Sequence, residues 1–300
     1  MVEDIVLRKV TTSEELALSM VSTPNFVLKS VDWGVIKSTH HTYRYVNQVG
    51  ATITGTSLET RDITIEGWVV ADSEAAMSVH KRTLNRFVNP QEAIDLFYKE
   101  YMIRFLPDQT VKYSVSYAEN NEIICKFQIV GTCPHPMFSD SAEQRSAFAA
   151  TAAHFHFPLV ISTALPDKGV VFGKRTESLI ASVVNVGAVP VGMRIVFKAN
   201  GLVKNPKLID VNTQERLVIN KTLVADEEIV INTNVGEKSV KGRVGNVELT
   251  NYYMYRDLGS AWLQLNTGNN LFRYDADDGL DNLEVFVYFY NRFLEVQECS

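Results

Sequence analysis

Between residues 179 and 206 the chain reads LIASVVNVGAVPVGMRIVFKANGLVKNP, and this stretch restricts the fold more than any other. Short runs of β-branched and apolar residues alternate with glycine, proline and asparagine. Residues 182–185 lead into Gly187, then Pro190 and Gly192. Residues 193–198 form a second apolar strand, which Asn200 and Gly201 close. Asn-Gly tolerates the positive φ that a tight turn needs. Pro190 and Pro206 cannot donate to a sheet ladder, so they belong at strand ends or edges. Two further stretches fit the same domain: WLQLNTGNNLFRY over 262–274, with a turn at 267–270, and the β-branched and aromatic run LEVFVYF over 283–289.

The first half follows a different pattern. Residues 26–31 read as a strand that Trp33 and Gly34 bend. The stretch 37–60 is polar, with scattered Tyr43, Tyr45, Val46, Val49 and Ile53, and suits a projecting hairpin better than a core element. In RDITIEGWVV, Ile63, Ile65, Gly67 and Val69 share one face. Arg61, Thr64, Glu66 and Trp68 are expected on or near the other. Residues 73–88 have helical spacing, with Asp72 or Ser73 as the cap and Asn89 and Pro90 as the stop. Strands are expected over 94–98, 101–106, 111–117 and 123–130. Residues 14–20 could form one or two helical turns.

Two prolines, Pro134 and Pro136, interrupt this pattern, and the small, polar residues after them read as a linker with a short helix over 142–150. β structure restarts over 155–161. The expected organisation is an N-terminal domain over 1–138, a linker over 139–157 and a C-terminal domain over 158–300. The fold class is mainly β: an α+β domain with one helix, then a β-sandwich with regular strands and Asn/Gly turns.

Composition excludes several function classes. With 46% hydrophobic and 21% charged residues among 300, the chain can bury a core. Its net charge of −6 argues against a general nucleic-acid binder. No apolar run approaches the roughly 20 residues of a membrane helix, and acids precede any apolar stretch at the N-terminus, so no signal peptide is expected. Cys125, Cys133 and Cys299 form an odd set without metal-ligand spacing, as in a chain with reduced thiols.

No nucleotide-binding, metalloprotease or serine-hydrolase motif is present. His154 and His156 share a strand face without a third ligand, and His40 and His41 lie in the projecting stretch. The acidic run 275–279 has its glycine one place early for a calcium loop and no bidentate glutamate at the right distance, so a polar turn is expected. Tyr252, Tyr253 and Tyr255, with Trp262, could offer a surface to a partner or a glycan. In a sandwich such a cluster is more often core or interface.

The order of the motifs carries more than any one of them. The second half runs N-x-G-x-x-P-x-G (185–192), an apolar strand, A-N-G-L-V-x-N-P (199–206), N-T-x-x-G (232–236), L-x-L-x-x-G-x-N (263–270) and a terminal aromatic strand. The first half runs F-V-L-K-S-V-D-W-G (26–34), a polar projection, R-x-I-x-I-x-G (61–67), K-R-x-L-N-R-F-V-N-P (81–90) and C-P-x-P (133–136). In this order the chain resembles the distal tail (Dit) proteins of siphophages over nearly its whole length. Roughly twenty residues precede the first family-like strand, an extension to which the resemblance assigns no role.

The resemblance implies a structural virion protein of the tail tip, or baseplate, assembled in the bacterial cytoplasm, with no enzymatic activity, cofactor, catalytic residue or metal. It implies a homo-hexameric ring beneath the major tail tube protein. A β-hairpin from each subunit would help to link neighbours, here carrying Tyr43, Tyr45, Val46, Val49 and Ile53. Galectin-like or carbohydrate-binding-module-like sandwiches would face outward as the hub for the tail-associated fibre protein and, in some phages, for receptor-binding proteins or host cell-wall glycan. DNA would pass only as cargo, which net negative charge suits, and no membrane is involved. Two other classes stay open: a stand-alone carbohydrate-binding protein, which would be a glycan-binding monomer, and a glycan-degrading enzyme, whose turnover one carboxylate would abolish.

Overall fold

The computed structural model describes residues 4–20, 25–114, 116, 119, 123–148, 151–153, 173–175 and 179–296. By its contacts the chain divides into two units: Met1–Ala142 together with Arg292–Ser300, and Glu143–Asn291. The expected strand over 155–161, along with His154, His156 and Cys299, lies outside the described residues.

In the first unit seven antiparallel strands run in the order Glu15–Leu18, Ile5–Lys9, Ile94–Tyr98, Tyr101–Pro107, Ile124–Cys133, Arg61–Val70 and Phe26–Asp32. The two outermost strands also meet. Ser19 bridges Val27, and the Leu28 N–H donates to the Ser19 carbonyl at 3.0 Å. The sheet thus closes on itself as a barrel, which leaves no open edge on this path. Ile5–Lys9 and Glu15–Leu18, which precede Phe26, are two of its strands. A helical turn over 14–20 does not form, because residues 15–18 pair with Ile5–Lys9, Leu16 opposite Leu7.

Every odd position from Arg61 to Val69 is buried, so Ile63 and Ile65 face the core as expected. Arg61 does too, against expectation. Its guanidinium lies 4.7 Å from the Phe138 ring centroid and donates to the Leu294 carbonyl. Burial pushes its pKa down. Gly67 faces Phe127 across the ladder. A Cβ there would lie 2.5 Å from the Phe127 ring and 2.6 Å from the Val27 carbonyl, so only glycine fits.

The helix Glu74–Phe87 forms where its spacing predicts. The Ser73 hydroxyl accepts the Ala76 N–H at 3.3 Å, and Met77, Leu84 and Phe87 are buried. The last described strand, Arg292–Phe293, pairs with Phe138–Asp140, and Phe293 packs edge-on against Tyr101 at 5.2 Å.

The second unit is a sandwich of two antiparallel sheets. One orders Gln144–Ala147, Leu283–Phe289, Arg194–Ala199, Glu227–Asn232, Ser239–Val244 and Thr250–Asn251. The other orders Ile180–Asn185, Gly268–Asp275, Lys207–Asp210 and Arg216–Val218. Ile195, Phe197, Ile229 and Val285 from the first sheet share one core with Val183, Leu208, Leu217 and Phe272 from the second. The expected helix over 142–150 is replaced, in its described part, by the edge strand Gln144–Ala147. Pairing with Leu283–Phe289 overrides the preference of the small residues.

The 179–206 stretch is not one hairpin, because Ile180–Asn185 and Arg194–Ala199 lie in opposite sheets. Asn185 holds the crossing. Its amide donates to the carbonyls of Val189 and Leu265 at 3.0 and 3.1 Å, and its Oδ1 accepts the Gly187 N–H at 2.9 Å. Gly201 does not adopt positive φ. A Cβ there would meet the Asn282 side chain at 2.8 Å.

Candidate functional site

Strands Ser38–Tyr43 and Thr52–Leu58 form a two-stranded sheet that pairs with no other described strand. Every residue in them is exposed except Gly55, which is half-buried. A bulge between His41 and Thr42 shifts the register, and the Thr54 hydroxyl reaches back to the His41 carbonyl at 3.0 Å.

Side-chain bonds fix the tip. Gln48 accepts the Tyr45 N–H at 3.0 Å and donates to Thr52 at 3.1 Å, and Arg44 donates to the Gly50 carbonyl at 2.9 Å. Asn47 and Gly50 supply the positive φ. Tyr43 and Tyr45 meet edge-to-face at 4.6 Å. Tyr43, Tyr45 and Ile53 are exposed, and Val46 and Val49 are 92% and 100% exposed. Sequence spacing thus locates a hairpin with five exposed apolar or aromatic side chains. His40 and His41 hydrogen-bond across it to Thr56 and Ser57.

The tyrosine cluster divides. Tyr252 and Tyr255 pack against the sandwich core, 5.3 Å apart and edge-to-face. The Tyr252 ring fills the space where a Gly242 side chain would stand. The Lys221 ammonium lies 5.4 and 5.5 Å from the two ring centroids and 2.7 Å from Glu227 Oε1. These two rings help to seat a half-buried lysine on a buried carboxylate. Tyr253 remains half-exposed, 6.1 Å from Trp262, with Arg256 over the Trp262 ring at 4.6 Å.

Lys207 and Arg273 pair with the acidic run. Asp277 accepts from Asn205 at 2.8 Å and from Lys207 at 3.0 Å, which holds its carboxyl below the usual range. Asp275 pairs with Arg273 and Lys207. Cys125 and Cys133 are buried and unbridged, and burial pushes the Cys133 thiol up to about 12.

Residues 19–129 match the phage tail protein RIFT-related domain, and residues 186–293 match the siphovirus-type tail component C-terminal domain. The chain belongs to the siphophage distal tail protein family. It is a structural protein of the siphophage tail.

Two solved structures share the fold of this family member. The SPP1 Dit (gp 19.1) protein, described as a paradigm of the hub adsorption apparatus in phages infecting Gram-positive bacteria, is 11% identical with a TM-score of 0.65, covering 96% of this chain and 99% of its own. A chain of the phage P2 baseplate in its activated conformation with Ca is 9% identical with a TM-score of 0.52, covering 97% and 98%. No protein among those of curated function matches.

Proposed function

We propose that six copies of this chain close a ring at the tail tip, joining the tail tube protein to the tail-associated fibre protein and the receptor-binding apparatus. The first unit is the ring-forming domain. The second is an outward module for partner proteins or host cell-wall glycan; the chain enters it within the expected linker 139–157 and leaves it after Asn291. The protein acts without catalysis, assembles in the host cytoplasm and lets DNA pass through the ring.

One observation carries this: the hairpin Ser38–Leu58 buries none of its large apolar side chains on its own subunit. An isolated two-stranded hairpin is marginal in water. Two valines at its tip with almost no cover fit a neighbour's surface. A head-to-tail ring provides that surface six times over and leaves none unpaired. Membership of the tail family and a fold shared with an adsorption-hub protein support the same reading.

Size-exclusion chromatography with light scattering tests it. The expected species has six times the 33.7 kDa chain mass. A monomer at every concentration would favour the stand-alone glycan-binding reading.

A further inference from the structure

The outward side of the six-stranded sheet carries a depression of about 630 Å³, wholly within the second unit. This volume falls in the ~300–1,000 Å³ range of ligand pockets. Along Leu283–Phe289 core and outward positions alternate, which turns Phe286 and Tyr288 outward, and Val196 lies beside them on the next strand.

The charges around this floor are unevenly matched. Arg243 forks onto Glu228 at 2.9 and 2.7 Å. Arg194 lies 4.0 Å over Tyr288 and forks onto Glu143 at 3.2 and 2.5 Å, which raises its pKa. Arg145 lies 4.6 Å over Phe286 and 5.9 Å from Tyr288, and no carboxylate pairs with it among the described residues. Among the described residues Lys198 pairs only with Glu284, at 3.9 Å. The lining cations Arg145, Lys198 and Arg243 outnumber the lining acids Asp226 and Glu228 by one, in a chain whose net charge is −6. A guanidinium seated on aromatic rings has a fixed plane and keeps its N–H edge open to a planar anion.

We propose that this depression binds an acidic polysaccharide, with a carboxylate or phosphate on Arg145 and hydroxyls on Glu228, Arg243 and Asn246. The proposal rests on the glycan-contact part of the proposed function and gives it a location other than the tyrosine cluster. A hydroxyl-rich ligand suits a floor that alternates donors and acceptors around aromatic rings. The large aliphatic side chains that the unit exposes lie elsewhere, with Met254 82% and Leu258 97% exposed, whereas Val196 in the depression is 5% exposed.

Titration calorimetry on the full chain tests this with polygalacturonate, a phosphomannan, uncharged dextran and poly-glutamate. One or both acidic polymers should bind, more weakly at high salt. Arg145→Gln should weaken that binding about tenfold or more, the effect of losing a charge-assisted hydrogen bond. Arg145→Lys, which keeps the charge and loses the fork, should fall between. Tyr253→Ala should bind as the parent does. If a polymer binds but both Arg145 variants match the parent, the glycan contact stands and this site is overturned. If neither acidic polymer binds, or dextran or poly-glutamate binds equally well, the proposal is overturned.

Discussion

The ammonium of Lys221 lies 2.7 Å from Oε1 of Glu227, a residue with no exposed surface. Oε2 of the same carboxylate accepts the Val224 N–H at 3.1 Å. Removing the half-buried lysine leaves the buried Glu227 charge uncompensated, at a cost below the roughly 3–5 kcal/mol of a fully buried pair. Lys221→Met should therefore lower the urea midpoint strongly, and adding Glu227→Gln to it should recover most of the loss. Equal midpoints for Lys221→Met and the parent would show that the Glu227 carboxylate does not depend on Lys221.

Gly67 sits against Phe127 with no room for a methyl group. Gly67→Ala should destabilise the protein by about 1–3 kcal/mol through overpacking. Phe127→Leu in the same chain should lessen the added cost of the methyl. A double-mutant cycle measures this coupling, and strict additivity would mean that ring and methyl do not meet.

Glu66 accepts from Lys29 at 2.8 Å, with Lys126 at 3.6 Å, and the Lys29 bond holds its carboxyl below the usual carboxylate range. A carboxyl whose folded pKa lies below its unfolded value contributes stability above the unfolded pKa and loses it as pH falls through the folded one. The stability difference between the parent and Glu66→Gln should be constant near neutrality. It should shrink as pH falls below about 4. A difference that stays constant to low pH would count against the pairing.

Some of this was legible in the chain and some was not, for physical reasons. The hairpin could be read because a polar stretch with β-branched residues and two glycines has too little apolar surface for a core and too much β preference for a loop. The helix could be read from its cap, period and Asn-Pro stop. Closure of the barrel could not, since it depends on Ser19 meeting Val27 and Leu28, a contact without a sequence pattern. Arg61 looked like a surface charge because the carbonyl and ring that accept it come from Leu294 and Phe138, far along the chain. Tyr252 and Tyr255 could be read as core or as a contact surface, because nothing local shows that Lys221 lies against them. The depression around Arg145 was missed for the same reason: its residues come from separate strands, and only their pairing makes them neighbours.

The hairpin carries the functional account, and removing it is the most direct test. Deleting residues 41–57 takes away most of a two-stranded sheet that pairs with no other described strand, so each subunit should fold with unchanged circular dichroism in its core. Light scattering should then find a closed six-subunit assembly for the full chain and only smaller species for the deletion. A deletion variant that forms the same six-subunit ring would contradict the account.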